Sequence, residues 1–513
     1  MSPAAALGRS LSERQSKEIL STMKVTSNLP CGLYIGGEWV GAPNSEYILN
    51  PATEQLIAAA PVGSVVEAGA AIAAARAAFD GGPWPTMSGK ERKAIMTRFY
   101  EAISRRRDDI CQLLIAEAGA VRSLAYGRQF DTPVKHLGFA IGVCDREVEV
   151  PLPVEVHAGP GDTRFLGAGV IRREPIGVVA VITAYNYPFY QNIVKAGLAL
   201  AMGCTVVLKP SPYTPFSALI LGEIAEEAGL PRGVLNVITG GQEVGEALTR
   251  DARVDMVTFT GSDTVGAAIQ AQCANTLKRT VLELGGKSAL IVRPDADLNA
   301  AARSGLMSFT MHAGQGCALT TRHLVHNSIR ERYVELLAAM TKGVRVGDPA
   351  DPASEMGPLI REAQRRRTES YVEMALAEGA KLVAGGKRPD IDQGYFYLPT
   401  LFDEVDNHSR IAREEVFGPV GVVIGYDTDD EAIAIANDSE FGLAGGIFTA
   451  DAGRAFEIAR QIRTGGVAIN GGGGGPSSYA PFGGIKRSGY GREGGLHGLD
   501  EFTYTKTIQF HGA

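Results

Sequence analysis

Short apolar runs alternate with helical patterns through the middle of the chain. Between residues 176 and 292 the runs include Gly177 to Thr183, Thr205 to Leu208 and Met256 to Phe259, and the stretches between them carry apolar residues at helical spacing. This alternation predicts a parallel β-sheet with helices on both faces. A second alternating series runs from Ala289 to about Ile469. We therefore expect an α/β fold with ligands bound at the carboxyl ends of its strands.

A helical layer is predicted ahead of this alternation. Apolar residues recur at helical spacing over Val65 to Phe79 and again over Gly89 to Ala118, with Ser88 as the N-cap of the second stretch. Met1 to Leu20 carries five charged residues and no apolar core, so it is predicted to be a mobile tail and not a secretory signal. The longest apolar stretches fall short of the roughly 18 residues that cross a bilayer, so no membrane partner is expected.

Strict alternation of apolar and polar residues marks two edge strands. Glu147 to Val156 has apolar residues on one face and glutamates on the other. Pro151 and Pro153 remove ladder donors, so this strand is predicted at an edge, in a hairpin with Arg164 to Arg173. Phe502 to Phe510 alternates as well. We expect two protruding ribbons that pair with another subunit; the alternative is that the ribbons cover each other within one chain.

Composition and charge restrict the classes of function. At 513 residues the chain is long enough for roughly three structural units, and its net charge of −7 gives no broad attraction to nucleic acid or anionic lipid. The six cysteines show no CxxC spacing, which fits a reducing compartment such as the cytoplasm better than a disulfide framework. The eight histidines do not cluster, so no metal site is predicted.

Three residues in separate segments suit the oxidation of an aldehyde through a covalent adduct. Cys317, in Gly314-Gln315-Gly316-Cys317, supplies a thiol nucleophile on a predicted exposed turn. Asn186, just after the strand that ends at Thr183, can donate an amide N–H to the adduct oxyanion. Glu283, at the end of an apolar strand, can act as the base that activates water against a thioester. Taken singly, each residue has a structural alternative: a quiet core thiol, a helix cap and a carboxylate bonded to loop amides.

A glycine turn supplies a candidate dinucleotide site. Gly261 and Ser262 follow the strand Met256 to Phe259, and Gly266 lies in the helix that they open, so backbone N–H groups and the helix dipole can meet a pyrophosphate. The turn does not match GxGxxG, and glycine pairs after strands are common, so the signal is weak by itself. Lys209, directly after the run that ends at Leu208, can reach adenosine ribose or phosphate, although a strand-end lysine is by default a solvated charge.

In this order the segments resemble those of the aldehyde dehydrogenase superfamily, from roughly Leu33 to the C-terminus. Cys317 lies 34 residues after Glu283 (317 − 283), and the joint order and spacing are more specific than any single motif. The resemblance implies hydrolytic oxidation of a small-molecule aldehyde, with Cys317 as nucleophile, Asn186 and the Cys317 amide as oxyanion hole, and Glu283 as base. Lys195 would be a proton-relay or structural residue. NAD is the implied cofactor, and the residues implied to hold it are Lys209, Thr183, Gly261, Ser262, Gly266, Leu284, Glu415 and Phe417.

The resemblance also implies a three-part architecture. A Rossmann-like dinucleotide-binding domain would comprise residues 1–145 and 174–283, and an α/β catalytic domain would comprise residues 284–489. A protruding β-ribbon for oligomerisation would comprise residues 146–173 and 490–513. Members are usually dimers or tetramers, so we expect a homodimer or homotetramer, in agreement with the edge strands inferred above.

The chain departs from the family pattern in three places. Pro212 stands where the family often has an acid that accepts ribose hydroxyls, so NADP is possible beside NAD. His312 stands where many members have Asn, and no catalytic role is expected for it. The substrate tunnel is predicted to be lined by Tyr187, Tyr190, Gln191, Phe482 and the glycine run Gly471 to Gly475. Such a pocket suits a medium-sized aliphatic or aromatic aldehyde, and no charged anchor is evident for a carboxylated or amino substrate. The glycine run is alternatively a flexible loop.

Two other functions stay open. Relatives that pass the thioester to coenzyme A commonly lack the base, so the presence of Glu283 favours hydrolysis to the free acid. A catalytically silent protein that has kept the fold is the second alternative, and the combination of Cys317, Asn186 and Glu283 argues against it. Measuring dinucleotide reduction with an aldehyde panel, with and without coenzyme A, separates the three.

Overall fold

The computed structural model describes residues 29–146, 148–472 and 477–512. Outside these ranges lie the predicted tail Met1 to Leu20, Glu147 of the predicted edge strand, and Gly473 to Gly475 of the predicted tunnel. The described residues form a mixed α/β structure with two large, mainly parallel sheets. The predicted fold class is confirmed.

In chain order the strands are β1 Leu33–Ile35, β2 Glu38–Val40, β3 Asn44–Leu49, β4 Leu56–Val62, β5 Glu149–Pro151, β6 Glu155–Ala158, β7 Arg164–Pro175, β8 Val178–Ile182, β9 Thr205–Lys209, β10 Leu235–Val237, β11 Met256–Thr260, β12 Arg279–Glu283, β13 Ala289–Val292, β14 Arg322–His326, β15 Lys381–Ala384, β16 Thr400–Asp403, β17 Val420–Tyr426, β18 Phe441–Gly442, β19 Ala444–Phe448, β20 Gly466–Ile469, β21 Ile485–Lys486, β22 Gly489–Tyr490 and β23 Thr503–Gly512. Two short pairs, β3 with β4 and β18 with β21, lie outside the larger sheets.

The first large sheet has eight strands in the order β2-β1-β10-β9-β8-β11-β12-β22. The five strands from β10 to β12 are parallel, and antiparallel strands close both edges. The chain runs from β8 through β9 to β10 and then returns to β11 on the other side of β8. This reversal opens a crevice between the carboxyl ends of β8 and β11, which is where ligands bind in sheets of this type.

The second large sheet has seven strands in the order β15-β16-β17-β14-β13-β19-β20, all parallel except β15. Both large sheets have a hydrophobic core on each face. In β8, Val179 and Val181 pack into one core, and Val178 and Ala180 pack into the opposite one. Because successive side chains of a strand point to opposite faces, this double burial explains why the strands read as continuous apolar runs.

The two predicted edge ribbons form one sheet with each other. β23 pairs antiparallel with β7 over ten residue pairs, from Thr503 opposite Pro175 to Gly512 opposite Leu166. β5 and β6 pair with the other edge of β7. The structure thus shows the alternative, in which the ribbons cover each other within one chain, and pairing of the ribbon sheet with another subunit stays a prediction. The domain boundaries themselves stay a prediction.

Helices cover the faces of both large sheets. The α-helices are Val65–Asp80, Gly89–Arg105, Arg107–Ala118, Arg122–Leu124, Thr132–Val143, Pro188–Asn192, Leu198–Ala201, Phe216–Ala228, Gln242–Arg250, Asp263–Ala274, Leu298–Thr310, Asn327–Gly343, Glu362–Ala377, Arg410–Arg413, Asp429–Asn437, Ala452–Ala459 and Gly495–Asp500. Two 3₁₀ turns, Trp84–Thr86 and Met311–Gly314, and two π-helical turns, Ala125–Asp131 and Ile193–Gly197, interrupt or extend them. Every helix in the described ranges is too short or too polar to cross a lipid bilayer.

The predicted helical layer is present with one difference. Ser88 caps the helix Gly89–Arg105, and its side chain and that of Glu91 exchange hydrogen bonds with each other's backbone N–H groups, which is a complete capping box. The single helix predicted over Gly89 to Ala118 is divided at Arg106, where φ of −94° and ψ of 19° leave the helical range. Apolar periodicity is continuous across this break, so the sequence pattern does not report it.

Candidate active site

A cleft of about 860 Å³ lies at the carboxyl edge of the first large sheet. Its walls include residues 184–186 after β8, residues 260–264 at the end of β11, and residues 284–285 after β12. Cys317 and Glu415, from the second α/β unit, close the cleft from the other side. The predicted nucleophile, the Asn186 loop and the glycine turn therefore share one cleft at the topological switch of the sheet.

Backbone strain shapes the turn that presents Cys317. His312, Ala313 and Gly314 have positive φ angles of 51°, 52° and 74°, a conformation that costs a non-glycine residue about 1–3 kcal/mol. A Cβ on Gly314 would lie 2.0 Å from the carbonyl oxygen of Gly418, so a larger residue does not fit there. Cys317 follows this strained turn and lies in the wall of the cleft, where it is partly exposed.

The surroundings of Cys317 disfavour a negative charge on sulfur. Burial raises the pKa of the Cys317 thiol to about 12, and the negative charges of Glu415, Glu283 and Glu493 add to the rise. The thiol is therefore protonated at neutral pH in the protein without ligands. Attack on a carbonyl then requires a base that accepts this proton, or a positive charge nearby that stabilises the thiolate.

Asn186 is held rigidly by two glutamine side chains and a backbone carbonyl. Its Nδ2 donates to Gln315 O at 2.9 Å, and its Oδ1 accepts from Gln191 Nε2 at 2.9 Å. Its backbone oxygen accepts from Gln129 Nε2 at 3.1 Å, and Gln191 Oε1 accepts from Ala184 N at 2.7 Å. An amide NH₂ has two donors, so one N–H of Asn186 is engaged with Gln315 and the second is available to an oxyanion.

Glu283 has the properties expected of a base. It ends β12, is only 2% exposed, and neither carboxylate oxygen has a hydrogen-bond partner among the described residues. Burial and the negative charge of Glu493 raise the pKa of Glu283 well above its ordinary value, while Lys195 and Arg492 oppose the rise. A buried carboxyl group with a raised pKa and free oxygens can exchange a proton near neutral pH.

Lys195 forms a buried ion pair beside this base. Its ammonium group pairs with Glu493 and donates to Thr258 Oγ1 at 3.0 Å. Glu493 is itself positioned by a two-way backbone pairing with Phe482, at 2.7 Å in each direction. The partners of Lys195 are thus Glu493 and Thr258 and not Asn186, and the pair sets the charge around Glu283.

The glycine turn has the features of a phosphate site. Ser262 Oγ accepts from Val265 N at 3.3 Å and caps the helix Asp263–Ala274, whose first residues line the cleft. A Cβ on Gly266 would lie 2.6 Å from the Leu284 side chain, so glycine lets this helix approach the end of β12 closely. The helix N-terminus offers backbone donors and a partial positive charge to an anion in the cleft.

The opposite wall carries a carboxylate and an aromatic ring. Glu415 Oε1 accepts from Gly286 N at 3.0 Å, and burial raises the pKa of Glu415 to about 7. Phe417 has a φ of 58°, and its ring meets that of Tyr185 edge-on at 6.0 Å. Both residues line the cleft, so a ligand between the two sheets touches them on one side and the glycine turn on the other.

Comparison with known proteins agrees with this geometry. The sequence profile of the group described as the aldehyde dehydrogenase family matches residues 39–508. This chain belongs to the aldehyde dehydrogenase family. The geranial dehydrogenase of Castellaniella defragrans is 39% identical over 482 residues, covering 94% of this chain and 98% of that protein. The 3-succinoylsemialdehyde-pyridine dehydrogenase of a Pseudomonas species is 39% identical over 483 residues, covering 93% and 97%.

Solved aldehyde dehydrogenases share the fold over nearly the whole chain. The betaine aldehyde dehydrogenase from Staphylococcus aureus, solved in complex with NAD⁺, has a TM-score of 0.90 and 37% identity, covering 95% of this chain and 96% of that chain. The NAD-dependent aldehyde dehydrogenase from Sinorhizobium meliloti has a TM-score of 0.88 and 37% identity, covering 93% and 94%. The family, the fold class and the enzyme class predicted from the sequence are confirmed.

The residues that the aldehyde dehydrogenase resemblance assigned to the cofactor fall into two groups. Those that line the cleft are Gly261, Ser262, Leu284, Glu415 and Phe417. Lys209, Thr183 and Gly266 are buried and do not line it. Burial lowers the pKa of Lys209 to about 8, and its Nζ lies 3.4 Å from Pro210 O. Thr183 Oγ1 donates to Asn192 Oδ1 at 2.8 Å. The cofactor roles of both groups stay predictions.

The predicted tunnel residues surround the Asn186 loop. The ring of Tyr187 meets His312 edge-on at 5.5 Å, and that of Tyr190 meets His136 edge-on at 5.9 Å. The Gln191 amide is used to hold Asn186, and Phe482 contributes its backbone to the position of Glu493. Substrate contacts of these four residues stay predictions.

Sequence reasoning missed Glu493 and Gln129. Glu493 pairs with a lysine 298 residues earlier in the chain, and Gln129 bonds to a loop 57 residues later. Neither spacing has a local signature. The glycines at 489, 491, 494 and 495 around Glu493, all with positive φ, are the one local sign that the backbone there is specialised.

Proposed function

We propose that this protein oxidises an aldehyde to its carboxylic acid, with NAD as cofactor and a covalent intermediate on Cys317. The observation that supports it most directly is the meeting of Cys317, Asn186 and the Ser262-capped helix N-terminus in one cleft. The buried Glu283, whose negative charge acts on Cys317, completes the set. Separately these residues have structural explanations, but their convergence at the switch point of the sheet does not.

In the first step Cys317 Sγ attacks the aldehyde carbon, and the electrons of the carbonyl double bond move to oxygen. The thiol proton leaves to water in the cleft, and Glu283, the buried carboxylate with unpartnered oxygens, is left free to act in the second step. The free N–H of Asn186 and the Cys317 backbone N–H stabilise the oxyanion, and loss of one such donor typically costs about 10²–10³ in rate. NAD, when bound, supplies the acceptor for the hydride that leaves the adduct carbon.

In the second step a thioester on Cys317 is hydrolysed. Glu283 takes a proton from water, the hydroxide attacks the thioester carbon, and the C–S bond breaks to release the acid. Lys195 acts as a positioning residue in this scheme, because its ion pair with Glu493 sets the charge around Glu283.

The residues around the cleft fit NAD. Gly261, Ser262 and the helix N-terminus suit a pyrophosphate, Glu415 suits ribose hydroxyls, and Phe417 suits the nicotinamide ring. The NAD⁺ present in the solved Staphylococcus aureus relative supports the same cofactor here. Pro212 supplies no carboxylate against a 2′-phosphate, so both dinucleotides belong in the test.

We also propose a homodimer or homotetramer in the cytoplasm. Apolar side chains on the ribbon sheet support self-association, since Val150, Val156 and Phe510 are 41%, 63% and 63% exposed. Six free cysteines support a reducing compartment. Light scattering coupled to size-exclusion chromatography measures the subunit count directly.

Two variants test the proposed chemistry. Cys317→Ala is expected to abolish aldehyde oxidation while NAD binding persists, and Cys31→Ala, at an exposed cysteine, is the matched control with full activity. Glu283→Gln is expected to keep a single-turnover burst of dinucleotide reduction and to slow steady-state turnover by about 10²–10⁴. An unchanged steady-state rate contradicts the role of Glu283, and turnover that requires coenzyme A contradicts hydrolysis.

A further inference from the structure

A second cavity, of about 430 Å³, shares no lining residue with the cleft. Its walls come from the π-helical turn Ala125–Asp131, the helix that follows it, and the strained turn before Cys317. The side chains that matter here are Arg128, Lys135 and His312. π-Helical turns inside α-helices are frequent at functional sites.

Two half-buried tyrosines, Tyr187 and Tyr190, lie close to both the nucleophile and the cavity. His312, in its wall, lies edge-on against Tyr187 at 5.5 Å. Burial raises the pKa of both the Tyr187 and the Tyr190 phenols, and each also senses the charges of Arg128 and Cys317, which act in opposite directions. Arg128 and Cys317 therefore lie near the same two rings, and the contact of Tyr187 with His312 joins the cavity wall to the residue that follows Asn186.

The turn that carries Arg128 is fixed to the oxyanion loop. Gln129, the next residue, is fully buried and donates to the backbone oxygen of Asn186 at 3.1 Å. This hydrogen bond fixes the position of Arg128 relative to the Asn186 loop.

Two cationic side chains of the cavity have no ion-pair partner among the described residues, whereas both of its acids do. Its two acids are already paired, Asp131 with Arg107 at 2.9 Å and Glu355 with Arg345 at 3.6 Å. Arg128 and Lys135, in contrast, have no ion pair with any described residue. A guanidinium group is always charged and its planar donors match a carboxylate, so an anion is the group that completes this site.

His312 adds a second, independent sign of a missing ligand. It is only 3% exposed, and neither ring nitrogen has a well-formed hydrogen bond in the described part of the chain; the nearby Asn186 backbone only partly offsets the lowering of its pKa by burial. Buried polar groups are rarely left without partners unless a ligand or water satisfies them. Its backbone is also strained, with a φ of 51°, which holds the ring in the cavity wall.

We infer that the cavity binds the far end of the aldehyde substrate, that this end carries a carboxylate, and that Arg128 is its anchor, with Lys135 at the rim and His312 as a neutral donor on the way. This inference rests on the proposed function, because the other end of the substrate reacts at Cys317. It replaces the expectation that the substrate site has no charged anchor. The class of substrate is an ω-oxo acid with an apolar chain that passes Tyr187 and Tyr190.

The test compares two series of aldehydes of equal length. ω-Oxo carboxylates of four to nine carbons and the matching n-alkanals are assayed for kcat/KM by NAD reduction. We expect the oxo acid to exceed the alkanal by about 10- to 100-fold at the best length, the range typical of a hydrogen bond to a charged group. Arg128→Met should abolish this preference and leave the alkanals within about threefold, and Arg128→Lys should retain part of it.

Arg122→Met is the matched control. Arg122 lies six residues earlier on the same segment, is exposed, and stacks on Tyr126 at 5.1 Å without lining the cavity. The same substitution there should leave the preference unchanged. A readout without turnover uses the Cys317→Ala protein, to which 6-oxohexanoate should bind at least tenfold more tightly than hexanal, and Arg128→Met should remove the difference.

The outcomes separate this inference from the proposed function. Alkanals oxidised as well as oxo acids at every length, or an oxo-acid preference that survives Arg128→Met, overturns the inference and leaves aldehyde oxidation in place. No turnover of either series overturns the proposed function itself. Equal binding of 6-oxohexanoate and hexanal to the Cys317→Ala protein would also overturn the role of Arg128.

Discussion

Replacing Glu493 with glutamine is expected to move the acid limb of the pH profile of kcat to lower pH. The negative charge of Glu493 is, after burial, the largest contribution that raises the pKa of Glu283, and the charge of Lys195 opposes it. The substitution removes the first charge and leaves the second. Both consequences favour the ionised form of Glu283, which is the form that accepts a proton.

The size of the shift follows from the Coulomb energy between charges in a partly dry site. For any two unit charges roughly 4–8 Å apart at an effective dielectric constant of about 20, that energy is about 2–4 kcal/mol. Since about 1.4 kcal/mol corresponds to one pKa unit, the acid limb should move by about 1–3 pH units. A Glu283 carboxylate with a lower pKa is also a weaker base, so the plateau value of kcat should fall as the acid limb moves to lower pH.

The variant also disturbs a buried ion pair. Lys195 is fully buried, and removing one partner of such a pair costs about 3–5 kcal/mol when nothing replaces it. Glutamine keeps an oxygen that can accept from the Lys195 ammonium group, so the loss should be smaller. Thermal unfolding, measured beside the kinetics, establishes that the variant is folded over the pH range used.

The assay is steady-state kcat between pH 5 and 10 with saturating aldehyde and dinucleotide. Lys195→Met should shift the limb in the opposite direction, because it removes a charge that lowers the pKa of Glu283. The double variant Lys195→Met/Glu493→Gln should return the limb toward its original position. A folded Glu493→Gln protein whose acid limb stays in place refutes electrostatic control of Glu283 by this pair.

Two further predictions concern Cys317 directly. Gly286→Ala should lower kcat/KM by about 100-fold, because the new Cβ would lie 2.5 Å from Cys317 O and misplacing a reactive group by about 1 Å usually has a cost of this size. Gly466→Ala is the control and should leave kcat/KM unchanged, because no heavy atom lies within 4 Å of the Cβ position there. Equal activity of the two variants contradicts the steric reasoning. In the dinucleotide-free protein, alkylation of Cys317 by iodoacetamide, followed by mass spectrometry, should accelerate about tenfold per pH unit from pH 7 to 10, because the pKa of the thiol is raised to about 12. A plateau below pH 9 contradicts that pKa.

Local features of the fold were predictable because short-range physics decides them. The capping box at Ser88, the strand before Asn186 and the glycine turn after β11 each follow from neighbouring residues. The order of the segments was then enough to predict that Cys317 and the glycine turn share one cleft, because parallel strands present their carboxyl ends at one edge of the sheet.

Long-range pairings were not predictable from the same patterns. The alternation over residues 502–510 indicates which side chains share a face of the strand, but it does not indicate the neighbouring strand. That neighbour is β7, more than 300 residues earlier in the chain. The pairing of Lys195 with Glu493 is of the same kind. Such contacts depend on the assembled topology, which fixes both register and neighbour.

The raised pKa of Cys317 has a functional consequence. An exposed thiolate oxidises readily, whereas a protonated thiol is a poor nucleophile and resists oxidation. Burial, together with the charges of three carboxylates, keeps Cys317 protonated at rest. The nicotinamide ring of NAD⁺ is itself cationic, so a cofactor in the cleft adds the positive charge that the site lacks. Reactivity at Cys317 should therefore rise when the cleft is filled, so that the nucleophile is generated in the presence of its reaction partners and is protected in their absence.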